Sequence, residues 1–141
     1  TGKTRAALDG LRRLGSVCRG THWGGAGVFD GYDGHDGLIL DEFVGQAPIT
    51  ELLTWLDVYP VDLPARYRAR PAAYSRVVIC TNRAPWDWYP EAPKAQRAAL
   101  ARRLHLVEHW SGSWDDLTIT AIPSSEVMAR MTAEPPPMQG F

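Results

Sequence analysis

A chain of 141 residues, 45% hydrophobic and 22% charged, has the size of one domain and can bury a single substantial core. Its formal net charge of −1 and pI near 6.4 exclude a surface coated in positive charge for general nucleic-acid adhesion, so any nucleic-acid site must be local. No apolar run approaches the ~20 residues of a membrane span and residues 1–5 do not resemble a secretory signal, so the sequence reads as soluble, intracellular and without a membrane partner.

The chain opens on Thr1-Gly2-Lys3-Thr4, the final positions of the pattern G-x-x-x-x-G-K-[ST], with neither an initiator Met nor the first glycine of that pattern. This reads as entry partway through a phosphate-binding loop, and a fragment lacking most of the loop's N–H groups is expected to bind ATP poorly. Ala7, Leu8, Leu11 and Leu14 recur at helical spacing, which predicts a helix over roughly residues 3–14, with Gly15 as its left-handed stop. Residues 20–37 hold seven glycines and few apolar runs and read as loop.

Leu38-Ile39-Leu40 runs straight into Asp41-Glu42, the pattern of a strand buried on both faces with carboxylates at its C-terminal end. Pro48 suits the first turn of a helix carrying Ile49, Leu52, Leu53 and Leu56, stopped by Tyr59-Pro60. Arg66, Arg68 and Arg70 alternate with Tyr67 and Ala69, and in an extended segment they share one face. Val77 to Cys80 is a second buried-type strand ending in Thr81-Asn82. A tryptophan-rich connection over 85–93 leads to a helix over about 94–106, and a last strand includes 117–122. The boundary is placed at 122: one domain over 1–122, then a Pro-rich, flexible tail over 123–141.

Gly-Lys-Thr alone is more often an exposed turn before a helix, and two adjacent acids are more often a solvated turn. Their order gives them weight. In a nucleotide hydrolase the backbone of Gly2 and the ammonium of Lys3 hold phosphate, and the Thr4 hydroxyl binds Mg²⁺. One carboxylate, Asp41, holds the metal's shell and a second, Glu42, activates the lytic water. Asn82, at the tip of the next strand, has an amide able to bond both a γ-phosphate oxygen and that water.

The runs Phe29-Asp30-Gly31-Tyr32-Asp33-Gly34, Leu38-Ile39-Leu40-Asp41-Glu42-Phe43, Leu52-Leu53-x-x-Leu56-Asp57-x-Tyr59-Pro60 and Ile79-Cys80-Thr81-Asn82, followed by Pro85 and Trp88-Tyr89, resemble the helicase domain of replication-initiator proteins of circoviruses and their relatives. The resemblance extends from Thr1 to about Trp110 and implies a superfamily-three helicase of the AAA+ class: a three-layer α/β P-loop fold with a mainly parallel sheet. It further implies ATP and Mg²⁺ as cofactors, a homo-oligomeric ring, commonly a hexamer, on single-stranded DNA, and work in rolling-circle replication, in the host nucleus if the host is eukaryotic. Lys3 and Thr4 match its Walker A motif, Asp41 and Glu42 its Walker B, Asn82 its sensor, and Arg102-Arg103 an arginine pair of which one would be a finger across the subunit boundary. Arg66, Arg68 and Arg70 would line a DNA-following arm.

The chain departs from the family pattern at Cys80-Thr81, where a serine is usual, and at Arg66-Tyr67-Arg68, where relatives carry a Lys-Gly-Gly-like tip. The rival readings are an RNA helicase domain of related type and a non-catalytic P-loop remnant serving oligomerisation or nucleic-acid binding. His105 and His109, four apart, read as one helix face rather than a zinc site. Cys18 and Cys80 read as buried single thiols, and Trp86, Trp88 and Tyr89 as packing beneath the sensor strand.

Overall fold

The computed structural model describes residues 3–13, 15–20, 29, 32–57, 74–133 and, as backbone, 62–63 and 70–71. Gly2, Arg66 and Arg68 of the anticipated sites lie outside these residues. The elements run α1 (Lys3–Arg12), β1 (Val17–Gly20), β2 (Gly37–Leu40), α2 (Ile49–Trp55), β3 (Asp62–Leu63), β4 (Arg70–Pro71), β5 (Arg76–Ile79), α3 (Lys94–Arg103), β6 (Val107–Ser111), β7 (Thr118–Ile122) and α4 (Ser124–Met131).

Three strands form a parallel sheet in the order β1-β2-β5, with Cys18 opposite Leu38 and Leu38 opposite Val77. Side chains alternate across a strand, and β2 shows it on both faces. Leu38 and Leu40 join Cys18 and the apolar faces of α2, α3 and α4, while Ile39 joins Leu11 of α1 and Cys80. Helices therefore cover both faces of the sheet, and β2 is completely buried, as a continuous apolar run in a parallel sheet requires.

The helices α2, α3 and α4 share one start signal. Pro48, Pro93 and Pro123 each stand one residue before the helix with φ near −56° and ψ near 144°, and each carbonyl accepts the first helical N–H groups. The ring fixes φ at the extended entry, and proline's lack of an N–H costs nothing there. Pro48 thus caps α2 rather than occupying its first turn.

The connection after Leu40 is tight. Gly45 has φ +95°, and a Cβ there would sit 2.6 Å from the Trp88 carbonyl oxygen, so only glycine fits. Trp88 packs edge-on against Phe43, ring centroids 4.8 Å apart, and its indole N–H donates to the Arg83 carbonyl at 2.9 Å. The Tyr89 hydroxyl donates to the Ala47 carbonyl. These aromatics fill volume beneath the β5 tip, and Trp86 is covered by the Arg130 guanidinium, 4.8 Å from its ring centroid.

Several expectations are corrected. The first helix forms where expected, over Lys3–Arg12, but β1 lies in a stretch with too few apolar residues to register as a strand. The helix expected over 94–106 stops at Arg103, leaving His105 in a loop and His109 on β6, so the two histidines share no helix face. β6 pairs with β7 as an antiparallel hairpin separate from the parallel sheet. The segment expected as a tail, 123–141, opens instead with α4, whose Val127 and Met131 are buried. Arg97 of α3 holds its far end, donating to the Met131 and Ala133 carbonyls at 2.9 and 3.1 Å, where a helix leaves carbonyls without internal partners.

Candidate functional site

The parallel sheet brings the ends of β2 and β5 and the start of α1 to one edge, the carboxyl edge where open α/β sheets bind their ligands. Lys3, Thr4, Asp41 and Asn82 meet there. The Lys3 ammonium donates to the Thr81 carbonyl at 2.9 Å and to Asn82 Oδ1 at 3.0 Å. One residue on, Thr4 Oγ1 donates to Asp41 Oδ1 at 2.9 Å. Two consecutive residues at the head of α1 are thus tied to two different strands.

Asp41 directly follows β2, and its own N–H continues the ladder to the Gly20 carbonyl at 3.0 Å. It is 3% exposed and is the sole charged side chain in the core of the described residues. A carboxylate so placed must be paired. Oδ1 accepts from Thr4 and from the Glu42 N–H at 3.0 Å, and Oδ2 accepts two N–H groups of Arg19, from Nε at 2.8 Å and from Nη2. Burial alone would raise the Asp41 carboxyl, but the hydrogen bonds from Arg19 and Thr4 and the Arg19 charge outweigh it and hold the group below its ordinary value. The nearby Cys80 thiol is pushed up, by burial first and then by the Asp41 charge.

Glu42 is exposed and stands in the left-handed region at φ 55°, the only non-glycine residue with positive φ among those described. This conformation costs a side-chain-bearing residue ~1–2 kcal/mol and is characteristic of functional turns. Gln46 braces it, donating from Nε2 to the Glu42 carbonyl at 2.8 Å and accepting the Val44 N–H at 2.7 Å. The turn sends the second carboxylate out to solvent while the first stays inside.

Arg19 is the participant that sequence reasoning missed. Its only signal was a cation at the end of a short apolar stretch, Val17-Cys18-Arg19, and nothing local tied it to a carboxylate 22 residues later. Arg102 and Arg103, by contrast, lie on α3. Arg102 is exposed, whereas Arg103 is half-buried, bonded to the Ala99 carbonyl at 3.0 Å and paired with Asp57 at 3.6 Å. Arg70 belongs to β4, antiparallel to β3.

Among the described residues no three or more His, Cys, Asp or Glu cluster into a metal site. A hard cation held at Thr4 and Asp41 would therefore need waters or ligand oxygens to complete its shell, which is how Mg²⁺ is held beside phosphates. The donor set fits. The Thr4 and Asp41 oxygens lie 2.9 Å apart, equal to the ~2.9 Å edge of an octahedron with Mg²⁺–oxygen bonds of 2.0–2.1 Å. A cleft of about 330 Å³ borders the same Lys3 and runs between α1 and β5, past Ala7 and Val78, to Leu106 and Trp110.

Comparison with known proteins finds replication-associated proteins of circoviruses. The chain is 37% identical over 90 residues to the replication-associated protein of beak and feather disease virus, which is 64% of this chain and 29% of that protein. It is 34% identical over 112 residues to the canary circovirus protein of the same description, 79% of this chain and 36% of that one. The porcine circovirus 1 protein is 30% identical over 90 residues, with 64% and 29% covered. The chain thus spans about a third of the length of the curated relatives it matches. No family model matches it. No helix among the described residues is long and apolar enough to cross a membrane.

Proposed function

From this homology to circovirus replication-associated proteins, we propose that the chain is the nucleotide-hydrolysing core of a viral replication protein. It is a P-loop domain of AAA+ type that couples ATP hydrolysis to movement along single-stranded DNA. The observation that carries the reading is the meeting of Lys3, Thr4, Asp41 and Asn82, up to 79 residues apart in sequence, at one edge of a parallel sheet.

In this reading the Lys3 ammonium binds the terminal phosphates, from a position where it already bridges α1 and the β5 tip. Thr4 and Asp41 would hold Mg²⁺, which would neutralise charge on the phosphates. Glu42, turned outward on its strained backbone, takes a proton from the attacking water. The Asn82 amide orients that water from the neighbouring strand. Arg102 rather than Arg103 is the finger that reaches a neighbouring subunit's nucleotide in a ring, because Arg103 is engaged by Asp57 and Ala99. Arg66, Arg68 and Arg70 follow the DNA backbone.

The test is ATP hydrolysis in a chain extended through the whole phosphate-binding loop, with and without Lys3→Ala and single-stranded DNA. Magnesium-dependent hydrolysis that Lys3→Ala abolishes is the expected result. Hydrolysis unchanged by Lys3→Ala, or absent from the extended parent in every condition, overturns the reading.

A further inference from the structure

We propose that Arg19 is a tethered counter-ion that competes with divalent metal for Asp41, so that metal enters this site only by displacing the guanidinium. The inference rests on the reading of Asp41 as the metal-holding carboxylate.

A carboxylate offers about four acceptor positions. At Asp41 the described residues alone supply four donors, Thr4 Oγ1 and the Glu42 N–H on Oδ1 and Nε and Nη2 of Arg19 on Oδ2. With Asp41 buried, an added cation must displace a partner rather than join a full set. The Glu42 N–H is fixed by the backbone turn, and Thr4 is fixed at the head of α1, whose own oxygen would be a metal ligand. Arg19 has a long side chain, 47% exposed against 5% for its partner, and hence an open route away from the site.

Charge makes the exchange close to balanced. Arg19 satisfies a buried anion that would otherwise be costly, and a divalent ion does the same with twice the charge. Once displaced, the guanidinium remains on β1 beside the site, where its planar fork matches a phosphate better than a single carboxylate oxygen. Free metal must break an ion pair to bind, whereas metal arriving with a polyphosphate offers the released arginine a new partner. The arrangement therefore disfavours empty-handed metal and favours the metal–nucleotide complex.

The experiment uses the 141-residue chain and Mn²⁺ alone as probe, with free Mn²⁺ read by its electron paramagnetic resonance signal, in the parent, Arg19→Met, Asp41→Asn and the double variant. Arg19→Met is expected to bind Mn²⁺ roughly tenfold more tightly than the parent, the order set by losing one charge-assisted, half-exposed pair, and Asp41→Asn is expected to erase that gain. A second measurement needs no variant: the Arg19 Nε–H resonance should lose its hydrogen-bonded shift as Mg²⁺ saturates the parent. Arg19→Met no tighter than parent while Asp41→Asn removes binding, or an Arg19 resonance unmoved at saturation, overturns the competition and leaves the metal reading standing. Binding equal in parent, Arg19→Met and Asp41→Asn overturns the metal reading, and the competition with it.

Discussion

Thr4 Oγ1 and Asp41 Oδ1 lie 2.9 Å apart although 37 residues separate them, and this bond, with the pair to Arg19, decides how the protein meets acid. The Asp41 carboxyl is held below its ordinary value of 3.8. A depressed folded value contributes stability that is complete above the unfolded value and is lost as pH falls through the folded one. Asp41→Asn should therefore be less stable than the parent at pH 7. The gap should stay level down to about pH 5 and close progressively below pH 4. Urea denaturation across a pH series measures it, and a gap that widens toward acid would show the opposite sign.

Glu42 separates chemistry from stability. Replacing it with Gln keeps side-chain size and removes the base, so hydrolysis in the loop-extended chain should fall by roughly 10²- to 10⁴-fold while nucleotide affinity is retained. Glu42→Gly should lose hydrolysis equally yet raise stability, by about 0.5–1 kcal/mol, because glycine accepts φ 55° without the left-handed strain and gives back part of that gain as backbone entropy. Nucleotide turnover and thermal unfolding on both variants distinguish the two effects. Full turnover in Glu42→Gln would move the catalytic base elsewhere.

Arg102 and Arg103 should part company. Arg102→Ala removes an exposed side chain and should leave the isolated chain as stable as the parent, while reducing hydrolysis by a factor of about 10³ or more in an assembled ring. Arg103→Ala breaks the contacts to Asp57 and Ala99 and should lower stability by a few tenths to about 1 kcal/mol, the range of a half-exposed pair. Mixing Arg102→Ala subunits with Glu42→Gln subunits should restore part of the hydrolysis if the arginine acts across the boundary. No recovery at any ratio argues for a role within one subunit.

The arginines 66, 68 and 70 are to be tested by salt. Phosphate contacts release counterions, so replacing all three with alanine should weaken single-stranded DNA binding alike for every sequence and flatten the log–log salt slope by roughly 0.7 per lost contact. Affinities of folded, equally oligomeric parent and triple variant across a salt series give the slopes. Identical slopes would remove these residues from the DNA path.

What could be read in the sequence was what is local or periodic. The β2 triplet, the Ile49 to Leu56 stripe and the carboxylates at a strand end each announce themselves within a few residues, and the structure places them accordingly. β1 and β6 did not, because Val17–Gly20 and Val107–Ser111 mix polar and apolar residues and owe their extended form to partners elsewhere. The Pro-rich composition of 123–141 hid α4, since proline there serves as an entry cap at Pro123. Arg19 was invisible for a deeper reason: an ion pair across two strands depends on register, and nothing within either strand fixes the register between them.

The placement of β2 between β1 and β5 also sets a ranking in time. Leu38, Ile39 and Leu40 are fully buried, and β2 has a hydrogen-bonded strand on either side, so their amides exchange with solvent only when a neighbouring strand separates and the core between the helices opens with it. Among the described residues the strands carrying Arg19 and leading to Asn82 each pair with β2 alone in this sheet. In deuterium exchange the β2 amides should be the slowest of the three strands. The buried carboxylate of Asp41 then follows directly on the strand whose amides exchange last.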